Sequence, residues 1–213
     1  GYLLHSYKNQ VRTKAIILTD EKLYGYSTDY YAQGGTGKSL LAKAIGYITP
    51  LLLKDAKIKN KDNRFYFANV KPYHKVIALD DVYKGFDFES LFSLITGDFT
   101  VEEKYVNPIT IEFNKSAKVL ITSNYYIGDN ISHSEKRRKV EIELNPYFRK
   151  TSIQDHFGHI LFEEWSEEEW EKFNSFMTFC LQYYLSNGIV ELPESEIIKK
   201  KLIESTNLEF INF

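Results

Sequence analysis

Six consecutive residues, Gly34-Gly35-Thr36-Gly37-Lys38-Ser39, have the composition needed to hold a polyphosphate. Glycines let the backbone curl so that successive N–H groups converge on one phosphate, and a helix opening behind them adds its positive end. A Lys at that point bridges β- and γ-phosphates, and a hydroxyl on the next residue enters a Mg²⁺ shell. The ligands implied are ATP and Mg²⁺. Gln33, Gly34, Gly35, Thr36, Gly37, Lys38 and Ser39 are expected on the nucleotide, with Ser39 also on the metal. Ala32 stands where this pattern usually begins with Gly, and its small side chain still permits the turn.

Two further positions fit the same chemistry. Val76-Ile77-Ala78-Leu79 is a continuous apolar run closed by Asp80-Asp81, and open α/β sheets carry ligand-handling groups at such strand ends. Asp80 is expected to hold the Mg²⁺ shell and Asp81 to polarise the attacking water. Lys118-Val119-Leu120-Ile121-Thr122 is a second buried run ending at Ser123-Asn124, and a carboxamide at that height reaches both a γ-phosphate and a lytic water.

These groups need a frame. Lys14–Leu18 reads as a buried strand ending in Thr19-Asp20, and a polar, Tyr-rich stretch then runs from Glu21 to Tyr31 as a loop or small hairpin. Ser39–Ile48 carries a helical apolar face and is followed by Pro50. Phe88–Ile95 suggests a helix stopped by Thr96-Gly97-Asp98, residues 99–113 a β-hairpin, and Val140–Leu144 an edge strand. Beyond Pro146, Ser166 and Glu169 form a capping box that opens a long helix closed by Asn187-Gly188, with a last helix over Glu194–Glu204. Strands alternating with helices imply a mainly parallel α/β sheet flanked by helices, with a small helical subdomain behind it. The expected division is a core over 1–148 and a helical subdomain over 149–213. Gly1–Tyr7 reads as the inside of a helix, as if the domain were cut from something longer.

Composition bounds the function classes. The formal charge is −2 and hydrophobic residues make up 43%, which excludes both a disordered tail and a strongly basic DNA-coating protein. With one cysteine, Cys180, no intrachain disulfide is available. Without a long apolar run or a signal pattern, no membrane partner is expected and the location implied is cytoplasmic. Only five of the 27 cationic residues are Arg, so the adjacent pair Arg137-Arg138 stands out.

In this order and at this spacing, the segments over residues 14–145 resemble the superfamily 3 helicases, specifically the poxvirus- and phage-type primase-helicases of the AAA+ class of P-loop NTPases. Gly34–Ser39 resembles their Walker A loop, Val76–Asp81 their Walker B strand, and Ala117–Asn124 their motif C, in which the Asn senses nucleotide. Leu94–Asp98 with Lys104 and Ile109–Ile111 is similar to their intermediate motif and hairpin, and Ser134–Arg138 to their arginine-finger segment. The resemblance implies a P-loop AAA+ fold and a homo-oligomer, a hexameric ring with ATP sites shared between neighbours. It also implies movement along single-stranded DNA, with RNA left open. Arg137 and Arg138 would then act catalytically on a neighbour's γ-phosphate, as Lys38, Asp81 and Asn124 act on the chain's own nucleotide. Lys104 and Tyr105 would touch DNA in the ring's channel. Asp81 departs from the Glu that many members carry, and any primase module lies outside this chain. Two readings of other classes compete: an ATPase switch or assembly factor that unwinds nothing, and a small-molecule kinase, against which the lack of an Arg-rich lid counts. His156, His159 and Cys180 lack a fourth partner for a metal site. The aromatics Phe157, Phe162, Trp165, Trp170 and Phe173 read as packing for the tail, and Lys199-Lys200-Lys201 as a solvated face.

Overall fold

The computed structural model describes residues 1–21, 35–57, 64–128, 132–149 and 151–190. Gln33, Gly34, most of the Tyr-rich stretch, the expected last helix and the triple Lys lie outside the described residues.

Five parallel strands form the central sheet, in the order β2-β3-β6-β1-β7. They are β1 (Ala15–Asp20), β2 (Leu51–Asp55), β3 (Val76–Val82), β6 (Lys118–Ser123) and β7 (Lys139–Leu144). The three central strands read as unbroken apolar runs because both of their faces are covered. Ala15, Ile17, Ile77, Leu79, Val119 and Ile121 point into one core, beneath the short helix α2 (Phe92–Thr96) and the 3₁₀ turn Phe88–Leu91. Ile16, Leu18, Val76, Ala78 and Leu120 point into the other, beneath α1 (Lys38–Gly46). The long helix α3 (Glu167–Asn187) closes this second side through Tyr184, and its capping box at Ser166 and Glu169 is formed as the spacing implies. Phe162, Trp165, Trp170 and Phe173 stack on one another, and Tyr47 at the end of α1 joins them. A separate two-stranded hairpin pairs β4 (Phe99–Val101) with β5 (Ile109–Ile111).

One element was not anticipated and one expectation changes. Leu51–Asp55 is a strand, although its Leu-rich sequence has no β-branched residue to mark it. Gly1–Tyr7 makes one turn, with the N–H groups of Leu4 and His5 donating to Gly1 O, and does not continue as a helix. The Lys118 ammonium takes the carbonyls of Tyr2 and His5, acceptors that a longer helix would have used for itself.

Lys118 and Lys8 are both 2% exposed and have backbone carbonyls as partners. Lys8 donates to Leu94 O, Ser116 Oγ and Ala117 O at 2.8–3.2 Å. Burial, with the neighbouring Lys118 charge, pushes Lys8 down to about 7, and burial pushes Lys118 down to about 8, from an ordinary 10.5. Above those values the unfolded chain binds more protons than the folded one, so stability rises with pH from about 7 towards 10. Tyr2, raised by burial from 10.0 to about 12, works against folding only above that window. Urea midpoints at about pH 7 and about pH 9.5 should therefore show a gain of at least about 1 kcal/mol, and Lys8→Met should reduce that gain.

Candidate nucleotide site

Parallel strands end together, so β1, β3 and β6 deliver Asp20, Asp80-Asp81 and Ser123-Asn124 to one edge of the sheet. The Gly-rich loop meets them there. Gly35 (φ +87) and Gly37 (φ +92) are left-handed, and a Cβ on Gly35 would touch nothing within 4 Å, which leaves an open concave cradle in front of α1. The cleft holds about 400 Å³ and is lined by residues 35–40 with Lys57, Asp80, Asp81, Thr122, Asn124 and Ile153.

Ser39 Oγ donates to both oxygens of Asp80, at 2.9 and 3.2 Å. Asp80 also accepts from Thr122 Oγ1 at 2.6 Å, and the same Thr122 oxygen takes the Asp81 N–H at 2.8 Å. β3 bulges here: its register against β6 shifts between Leu79 and Val82, and Asp81 adopts a left-handed φ of 55. Without the bulge, consecutive residues would face opposite sides of the sheet. With it, both carboxylates turn into the cleft. Asp81 Oδ1 accepts from Asn124 Nδ2 at 3.0 Å, and Asn124 Oδ1 accepts from Lys38 Nζ at 3.0 Å. Lys38, Ser39, Asp80, Asp81 and Asn124 thus form one continuous polar network.

Two members of this network were not marked in the sequence as site residues. Asp20 is 2% exposed and takes both the Lys38 ammonium and the Thr36 hydroxyl. The signal was available, since a carboxylate ending a buried strand just upstream of the loop mirrors Asp80. Thr122 clamps the bulge. The donor set fits Mg·ATP: a hydroxyl and a carboxylate meet at Ser39 and Asp80, a cation sits beside them, and the cradle admits a group too large for a Cβ-bearing loop.

Arg137 and Arg138 are not at this cleft. They precede β7, whose six residues span about 20 Å, so they stand at the opposite end of the sheet. The two also differ from each other. Arg138 caps Phe92 at 4.3 Å, donates to Ser134 O at 2.9 Å and lies 3.3 Å from Thr96 Oγ1. Arg137 is exposed and lines a broad hollow of about 810 Å³ with Arg12 and Lys14. That hollow is larger than the cleft but has no carboxylate or glycine cradle among its lining residues. The turn bearing Arg137 is held by buried Lys139, which pairs with Glu135 at 3.4 Å and Glu141 at 3.1 Å.

Lys104 and Tyr105 occupy the tip of the β4–β5 hairpin, where Tyr105 is fully exposed. The adjacent Glu102 and Glu103, which would repel a phosphate, are each paired with a cation: Arg64 with Glu102 and Lys71 with Glu103. His156 and His159 part ways, towards Tyr147 Oη at 3.2 Å and Glu169 Oε1 at 3.1 Å. Among the described residues no helix is long and apolar enough to cross a membrane.

A family model described as a family of unknown function, DUF5906, matches residues 30–138, just over half of the chain. None of the curated proteins matches. Among solved structures, the chain is similar to the apo A form of the NrS-1 C-terminal region, at 22% identity and a TM-score of 0.46 over 75% of this chain and 32% of that one. It is also similar to a JCV helicase bound to a thiazolopyridine-phenoxyphenyl acetamide, at 16% identity and a TM-score of 0.47 over 68% of this chain and 40% of that one. The chain thus spans well under half the length of either.

Proposed function

The chain belongs to the DUF5906 family, and we propose that it is a Mg²⁺-dependent P-loop ATPase that works as a ring to move along single-stranded nucleic acid. The observation that carries the reading is the Ser39–Asp80 hydrogen bond of 2.9 Å, made in a cleft that Lys38, Asp81 and Asn124 also line. A generic strand end has no reason to gather a Gly-rich loop, a Lys, two carboxylates and a carboxamide at one point.

In the proposed reaction Ser39 and Asp80 hold the metal, which supplies charge neutralisation at the phosphates when bound. Lys38 exchanges its contact with Asn124 for the phosphate oxygens. Asn124 and Asp81 orient the attacking water, and Asp81 takes its proton as the γ-phosphorus bonds to the water oxygen and the bond to ADP breaks. Arg137 stands about 20 Å from its own cleft, so it serves the γ-phosphate of a neighbouring subunit, while Arg138 holds the turn that presents it.

The hairpin supplies the nucleic-acid contact. Lys104 grips a backbone phosphate and Tyr105 stacks on a base. Lys104→Ala should lower the ratio of DNA-stimulated to basal ATP turnover at least about threefold and reduce the slope of log affinity against log salt by about 1. An unaltered ratio and slope would remove the hairpin from the account.

A further inference from the structure

β7 carries a buried ionic cluster that the reaction above does not use. Val140 packs into the second core, so Lys139, Glu141 and Glu143 share the opposite face of the strand. The Lys139 ammonium meets Glu141 Oε1 at 3.1 Å and Glu135 Oε2 at 3.4 Å, with the Phe88 ring centre 5.4 Å away, and Lys139, Glu135 and Glu141 are all buried. Such a cluster adds little stability over apolar side chains of the same volume, but it fixes directions and distances. What it fixes here is the turn that carries Arg137. Glu135 stands two residues before Arg137 and Lys139 two after, so their pair closes over it.

The same ammonium has a further partner, and that partner comes from the nucleotide cleft. Lys139 Nζ donates to Ile127 O, three residues beyond Asn124. The segment from Asn124 runs back along β7, from the edge that holds the cleft towards the edge that holds Arg137. Tyr126 Oη donates to Glu143 Oε1, and Ile127 O sits at Lys139, four strand residues or about 13 Å further down. At its end Gly128 (φ +74) lies so close to the Glu135 carboxylate that a Cβ there would collide with it. Asn124, at the head of the segment, is held by Lys38 and Asp81. A shift of Asn124 when Lys38 turns to a phosphate therefore reaches Lys139 through three covalently linked residues.

We propose that Lys139 is a positioning residue through which Asn124, in a subunit's own cleft, sets the Arg137 offered to the neighbour. This rests on the ATPase reading above, with Arg137 acting across the subunit boundary. Lys139 touches neither nucleotide nor water; it passes the position of the Ile127 carbonyl to Glu135 and so to the turn. Coupling of this kind is read as non-additivity between its two ends.

The test is ATP turnover, in excess Mg²⁺, by mixed assemblies that separate the two roles. Arg137→Ala protein is the acceptor, with an intact cleft and no finger. Lys38→Ala/Asp20→Asn protein is the donor, with an intact Arg137 and no hydrolysis of its own. Neutralising the cluster as Glu135→Gln/Lys139→Met/Glu141→Gln keeps its volume and leaves none of its charges unbalanced. In the donor that change should lower the recovered turnover at least about fivefold, the lower end of coupling between separated sites. In the acceptor, whose Arg137 is already gone, it should leave the recovered turnover in place. Asn124→Ala in the donor should also lower it, although that cleft hydrolyses nothing, and adding the neutral cluster should lower it no further. Tyr126→Phe leaves the cluster intact and should cost about twofold in the donor and nothing in the acceptor, so it carries the test if the triple variant does not fold. Equal results from donor and acceptor placement, whether a loss or none, would mean that Lys139 does not set Arg137. Additive losses would mean that Asn124 and the cluster act separately. Either overturns the proposal and leaves the ATPase reading standing. No recovery by the unaltered mixture, once mixed assemblies have formed, would overturn the boundary role of Arg137 and this proposal with it, and a wild type that hydrolyses nothing would overturn the ATPase reading as well.

Discussion

Replacing Lys38 with alanine is expected to lower ATP turnover at least about a hundredfold, the scale of losing one fixed group from charge developing in the transition state. The sequence alone suggests that the fold would ignore this change, with Lys38 facing ligand and not core. The structure says otherwise. Lys38 is 7% exposed and its ammonium pairs with Asp20, itself 2% exposed. Removing the cation takes from a buried carboxylate the ammonium that pairs with it, and breaking a buried pair from one side costs up to about 3–5 kcal/mol. Thr36, which also donates to Asp20, softens that cost. Lys38→Ala should therefore unfold at lower urea than wild type, and adding Asp20→Asn should recover much of the loss by removing the charge that Lys38 balances. Turnover should not return in the double variant, because the phosphates still lack their cation. Full activity in a well-folded Lys38→Ala/Asp20→Asn protein would overturn the site.

Arg137→Ala should cost about a thousandfold in kcat, the lower end of what an arginine finger contributes. ATP binding should change little, since the loop and metal residues lie at the other end of the sheet. Arg137 is the residue to change alone: Arg138 is spent on Phe92, Thr96 and the Ser134 carbonyl, so altering the pair would also loosen the turn. A finger supplied from the next subunit allows complementation. Mixing Arg137→Ala protein with Lys38→Ala/Asp20→Asn protein should recover part of the activity, because one kind of mixed interface joins an intact loop to an intact Arg. Mixed assemblies with no recovery would contradict the role across the boundary.

The contrast between what the sequence disclosed and what it hid has a physical basis. Val76–Leu79 and Val119–Ile121 announced themselves because strands covered on both faces must be apolar at every position. The capping box at Ser166 and the breaks at Gly97 and Gly188 were legible because they are local, set by residues three or four apart. That Lys38, Ser39, Asp80, Asp81 and Asn124 would meet at one place was legible because their types and order fit a single expected chemistry. Asp20 and Thr122 were not, since each acquires its partner only when distant strands come side by side. Lys8 and Lys118 were hidden for the same reason: nothing adjacent to either says that its ammonium will be buried against carbonyls. The difference between Arg137 and Arg138 likewise depends on Phe92, a contact that pattern reading does not supply.

One measurement bears on all of this most directly: ATP hydrolysis by the wild-type chain in excess Mg²⁺, with and without single-stranded DNA, on protein whose assembly state is determined in the same buffer. The expected result is Mg²⁺-dependent turnover by a multimer, raised several-fold by DNA. Turnover that ignores nucleic acid in a fully assembled sample would contradict the motor and leave an ATPase switch, and an assembled protein that neither binds nor hydrolyses ATP would contradict the site itself.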